Sequence, residues 1–189
     1  MSNIKKQSIL GAILCIIFLL EGYSRVGKEI FIFLTIWVVI LQLFTFLSIL
    51  LSPKYSHIKN TLIVTSWNLG WLITILFWFY IYPQIKDIDP TPIWSQILSH
   101  GLVHFQMVFI FLKSKFPIQN KHYLLTLFTV LIYLFGCVVP LKYFYESTIY
   151  PKFFEEVWPT VIYIAAALGL TSVFFVFGKR LNRNKNKLN

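Results

Sequence analysis

Apolar residues run in long blocks with short polar punctuation, and six blocks approach or reach the length of a membrane crossing. They are Ser8–Leu20, Phe31–Leu51, Thr61–Tyr82, Ile93–Leu112, Tyr123–Tyr143 and Val157–Phe177. A helix crosses a hydrocarbon layer about 30 Å thick with about 20 predominantly apolar residues. Helices are the expected form, because backbone N–H and C=O groups facing lipid must be satisfied within the segment. The alternating strands of about ten residues that build a barrel are absent from the pattern. Breakers and charges mark the connections, among them Pro53, Pro83, Pro90, Pro92, Pro117 and Pro151. No linker is long enough to separate domains, and no internal repeat stands out. The pattern predicts an all-α, polytopic membrane bundle: residues 1–182 form one domain of six transmembrane helices, and 183–189 a basic tail.

Composition agrees. Of 189 residues, 57% are AVILMFWYC, 19% are aromatic and 13% are charged, against about 45–50% apolar and about 25% charged in soluble domains. A soluble enzyme, a disordered chain and a disulfide scaffold are excluded. Cys15 and Cys137 both lie in apolar runs, which supports neither a disulfide framework nor a metal cluster.

The net charge of +10 would suit nucleic acid, but its distribution gives it a membrane meaning. The N-terminus, the second and fourth connections and the tail hold twelve of the seventeen basic residues. The first, third and fifth connections hold the other five and every acidic residue: Glu21, Glu29, Asp87, Asp89, Glu146, Glu155 and Glu156. Lys and Arg are retained on the cytoplasmic side, so six crossings with both termini cytoplasmic are expected. The partners expected are the membrane and a lipid within it, with no nucleic acid. The first block is the weakest span. Lys5 and Lys6 before a thirteen-residue apolar core also fit a signal peptide with a cleavage point near Gly22-Tyr23-Ser24. The later topology is the same in either case.

Polar groups inside spans are costly and mark candidate sites. Thr35 and Gln42 lie seven residues apart on one face of the second span, and Gln96, His100 and His104 repeat every four residues down the fourth. Thr61, Thr65 and Asn68 form a polar face on the third span, and Trp67, Trp71 and Trp78 an aromatic one. Each has a structural alternative: Thr bonding its own backbone, Gln and Asn joining helices, Trp packing or anchoring at the interface. The two intramembrane histidines point furthest toward chemistry, because imidazole transfers protons near neutral pH. Metal binding by His100 and His104 lacks a third histidine on their side, since His57 and His122 fall in other connections. No metal and no cofactor are expected. At 1.5 Å per residue, Thr35 lies about 6 Å into its span, His100 about 10 Å and His104 about 16 Å. A hydroxyl and an imidazole at similar depth are the parts of a nucleophile–base pair.

These residues resemble the androgen-induced family of multi-pass membrane proteins over about Lys28 to Asn182. The likeness rests on Phe33-Leu34-Thr35 with Gln42, Phe77-Trp78 with Tyr82-Pro83, and His100-Gly101-Leu102-Val103-His104. Ile149-Tyr150-Pro151 and Gly178 with Leu181-Asn182 complete it. The resemblance implies a threonine hydrolase that cleaves fatty acid esters of hydroxy fatty acids, with Thr35 as nucleophile and a histidine as base. The family pattern is His-Gly-x-His with the second His functional, whereas this chain has His-Gly-x-x-His. Order in the motif points to His104 and depth points to His100.

The expected function is therefore an integral-membrane lipid ester hydrolase with Thr35 and His104 or His100 as catalytic residues. Gln42 and Gln96 are candidate donors to the developing oxyanion, and Arg25 or Lys28 candidate holders of a head-group carboxylate. The alternatives are a transporter or lipid-binding protein whose histidines line a path, and a structural subunit whose polar residues join helices. The end Lys185-Asn186-Lys187-Leu188-Asn189 fits a retrieval signal. It fits equally a basic tail held near anionic lipid head groups. In a eukaryote the first reading gives the endoplasmic reticulum, and the plasma membrane is the other expected location.

Overall fold

The computed structural model describes residues 2–27, 33–51, 57–86, 91–114, 116–138 and 157–187. Six helices account for nearly all of them. α1 is Asn3–Val26 and α2 is Leu34–Leu51. α3 starts as His57–Leu76, passes through a π turn at Phe77–Ile81 and ends at Tyr82–Ile85. α4 runs from Ile93–Ile97 through a π turn at Leu98–Leu102 into Val103–Lys113. α5 is Asn120–Tyr133 with a closing π turn at Leu134–Val138, and α6 is Val157–Lys187.

Five of the six are long and apolar enough to cross a membrane: Asn3–Arg25, Leu34–Leu51, His57–Ile81, Ile93–Lys113 and Ile164–Arg183. This is a multi-pass membrane protein by length and composition. α5 is not among the five, and the end of its expected span, 139–143, lies outside the described residues. Two boundaries differ from expectation. The first helix is 24 residues long, because the polar residues flanking its thirteen-residue core are good helix formers that continue the turn. The last helix runs on through the expected tail to Lys187. Lys59, expected in a connection, lies inside α3 and is buried.

Local chemistry sets the ends. Ser2 caps α1 by accepting the Lys5 N–H, and Gly27 stops it with φ +59°, a conformation that suits a residue without Cβ. Pro92 precedes α4, and its carbonyl accepts the N–H groups of Ser95 and Gln96. At the start of α5 the Gln119 backbone N–H donates to His122 Nδ1 at 3.2 Å.

Contacts fix the directions. Gly11 of α1 faces Phe46 of α2, Thr45 of α2 bonds Ser66 of α3 at 2.8 Å, and Gln42 meets Gly70. Trp78 and Phe77 of α3 meet His100 of α4, whereas Trp67 meets Phe111. The two contacts of α2 with α3, and those of α3 with α4, each make an antiparallel pair, so α2 and α4 run in the same direction, both opposite to α3. α3 also packs against α5 and α6 and forms the centre of the bundle. Lys5, Lys59, Lys113, Lys121 and Lys179 gather at one end, the basic end; Glu21 and Arg25 lie at the other.

Lipid replaces water around such a bundle, so helices are joined by close packing and hydrogen bonds rather than by hydrophobic burial. Asn68 donates to Thr126 at 3.3 Å, Tyr123 and Ser172 bond at 2.7 Å, and Trp67 Nε1 donates to the Phe174 carbonyl at 3.2 Å. Such bonds contribute about 0.6 kcal/mol each. The outward residues include Leu20 (67% exposed), Phe79 (77%) and Phe135 (68%), side chains fit for acyl chains and ill-suited to water.

The cap of α5 carries a pH prediction. Burial, then the neighbouring Lys121 and His57, hold His122 below the ordinary 6.5 of imidazole. An unfolded chain therefore takes up a proton that the folded one refuses, and stability falls as pH drops below about 6.5. Thermal unfolding in detergent should show a midpoint that declines over that range. His122→Asn, whose Oδ1 can accept the same N–H, should decline less; an equal slope would exclude His122 as its source.

Candidate functional site

Polar side chains from three helices form one seam through the middle of the bundle. α2 contributes Thr35, Gln42 and Thr45; α3 contributes Ser66, Gly70 and Thr74, one helical turn apart; α4 contributes Gln96, His100 and His104. All but Thr74 are buried, with Gln42 at 0% and His104 at 2% exposure. The stripe Ser66-xxx-Gly70-xxx-Thr74 is the small-residue spacing that lets membrane helices approach. That spacing is legible in the sequence and marks the face of α3 that meets both neighbours.

The two histidines have different surroundings. His104 sits at the Gly70 level. A Cβ on Gly70 would lie 1.9 Å from His104 Nδ1 and 2.9 Å from Gln42 Nε2, so the imidazole and the amide share the space that glycine leaves. Trp71 meets the His104 ring edge-to-face at 4.9 Å, and Trp67 lies at 6.5 Å. Trp71 is backed by Phe174 and Trp67 by Phe111. Neither ring nitrogen of His104 has a hydrogen-bond partner.

His100 lies in the π turn of α4, against the π turn of α3. Its ring stacks on Phe77 with centroids 3.5 Å apart and planes within 2°, and Trp78 Nε1 donates to its backbone carbonyl at 3.2 Å. Its Nδ1 is buried without a partner. Trp78, expected as an interfacial or packing residue, thus fixes the backbone of the histidine. A π turn inserts one extra residue, is rare, and frequently occurs at functional sites. Nothing in the composition of 77–81 or 98–102 announces it. Phe77→Ala should destabilise by about 2 kcal/mol, less than in a water-soluble core because lipid offers no hydrophobic penalty. Thermal unfolding of the variant measures it.

Register locates Thr35. From the Gln42–Gly70 and Thr45–Ser66 contacts, counting along the antiparallel pair brings Thr35 opposite Phe77. Leu34 belongs to the same core cluster as Phe77. Thr35 and His100 therefore belong to one level of the bundle, and Gln42 and His104 to the next, toward the basic end. Thr35 is 8% exposed.

The chain matches no protein-family model, no curated protein and no solved structure.

The remaining expected site residues are less central. Gln96 is buried one turn beyond His100. Arg25 pairs with Glu21 and lies over the Trp94 ring at 5.9 Å. Glu21 in turn accepts from Ser95 at 2.8 Å, tying the end of α1 to the start of α4. Sequence reasoning misses that tie, since Glu21 reads as a loop charge. Lys28 lies outside the described residues. Among the described residues no group of three or more His, Cys, Asp or Glu is placed to hold a metal ion.

Proposed function

We propose that this protein is an integral-membrane hydrolase of lipid esters, with Thr35 as nucleophile and His100 as general base. The observation that supports the reading most is the pair of facing π turns that holds His100 against Phe77 at the level of Thr35. Neutral imidazole takes the Thr35 proton as the hydroxyl oxygen attacks the ester carbonyl; an unassisted hydroxyl is a weak nucleophile. The protonated ring then delivers that proton to the departing alcohol oxygen, leaving an acyl group on Thr35. Water, deprotonated by the same ring, attacks the acyl carbonyl; the acyl–Oγ1 bond breaks, the ring returns the proton to Thr35 Oγ1, and the chain leaves as a fatty acid. Gln96, on the turn beyond His100, is the candidate donor to the developing oxyanion, a contact worth about 3–4 kcal/mol. Arg25 is at the same end, suited to a head-group anion, though its pairing with Glu21 must open to receive one.

The bilayer supplies the substrate: long acyl chains reach a buried site laterally without crossing water. The basic end faces the cytoplasm in this reading, with six crossings, by the retention of Lys and Arg on that side. A fluorophosphonate probe with an acyl-like tail tests the proposal. The expected adduct maps by mass spectrometry to the peptide carrying Thr35. An adduct elsewhere, or none, overturns the assignment.

A further inference from the structure

One level toward the basic end, the seam holds a set of groups that the ester chemistry does not use. Gln42 Oε1 and Nε2, both ring nitrogens of His104, and Trp71 Nε1 are buried with no hydrogen-bond partner. Leaving such a group unmet costs about 1–3 kcal/mol, and lipid offers no water to meet it. Three of these atoms can donate: the amide nitrogen, the indole nitrogen and one imidazole nitrogen. Two can accept: the amide oxygen and the other imidazole nitrogen. Among the described residues no lysine or arginine belongs to this level of the seam, so an anion there would be buried without a counter-charge, at a cost of several kcal/mol.

A neutral group that both donates and accepts is the match. We propose that Gln42, with His104 and Trp71 beside it, binds the protonated carboxyl group of a long-chain fatty acid. The carboxyl O–H donates to Gln42 Oε1 while its carbonyl accepts from Gln42 Nε2, a cyclic amide–acid pair; Trp71 and His104 serve the remaining lone pairs. An ester can only accept, and so cannot close the ring. The proposal extends the hydrolase reading, because a fatty acid is what such an enzyme releases, but the binding itself asks nothing of Thr35.

The test uses the full chain in detergent micelles and a palmitic acid analogue with a chain diazirine. Labelling is expected on α2, α3 or α4, displaced by palmitic acid up to about tenfold more effectively than by methyl palmitate, as the one donated hydrogen bond that the ester cannot make implies. It should weaken as pH rises and the free acid ionises. Gln42→Leu should abolish the displaceable labelling while keeping its thermal midpoint, since an unmet buried amide is replaced by an apolar side chain of similar size. Gln42→Glu, itself protonated at that depth, should retain it. Labelling that survives in Gln42→Leu, is lost in Gln42→Glu, or yields equally to methyl palmitate overturns the proposal. Thr35→Ala should label as wild type. Gln42-dependent labelling in a protein without ester turnover would remove the hydrolase and keep this site.

Discussion

Thr35→Ala should lose fluorophosphonate labelling entirely and lower ester turnover by about a thousandfold or more, the scale on which nucleophile removal acts. Thr35→Ser should keep measurable turnover, because the hydroxyl remains. Thr35→Ala removes only a hydroxyl and a methyl near the start of α2, so a retained thermal midpoint would separate lost chemistry from lost folding. The histidines divide the outcome further. His100→Ala removes the proposed base and should cost about 100- to 10,000-fold. His104→Ala, one turn away beside Gln42, should cost far less. A His104 loss matching that of His100 would move the base one level toward the basic end, where motif order points. Unchanged labelling in Thr35→Ala ends the nucleophile assignment, and full turnover in both histidine variants removes the base.

Gly70→Val should be the most destabilising of these substitutions, by more than about 3 kcal/mol. Its Cβ alone would fall 1.9 Å from His104 Nδ1 and 2.5 Å from Cε1, well inside contact distance. His104 cannot slide away, because Trp71 and Trp67 hold its ring and Phe174 and Phe111 stack behind them. Replacing glycine within a helix ordinarily gains up to about 1 kcal/mol, which is too little to offset that collision. Gly101 is the control. Nothing lies within 4 Å of the place its Cβ would take, so Gly101→Ala should leave thermal unfolding unchanged or raise its midpoint. Equal midpoints for Gly70→Val and wild type would mean that the three helices do not meet this closely.

Much of the architecture is legible in the residues. The apolar blocks at 31–51 and 93–112 match α2 and α4 within a few residues, because lipid imposes its thickness on any helix that crosses it. Thr35, Gln42, His100 and His104 stand out for the same reason: a polar side chain in hydrocarbon is expensive. The spacing of seven residues puts Thr35 and Gln42 on one face; both are buried, and Gln42 meets Gly70 of α3. The split between His100 and His104 is not legible. Depth counted at a uniform 1.5 Å per residue ignores the π turns at 77–81 and 98–102, which alter the rise and rotate every residue beyond them.

Periodicity and charge, taken alone, determined that this chain is helical, apolar and polarised between a basic and an acidic set of connections. Those properties depend on each segment's own match to lipid and water. That one imidazole stacks on Phe77 while the other lies with Gln42 over Gly70 depends on how three helices rotate and slide against one another. Packing between distant segments fixes that, so only the tertiary structure decided it.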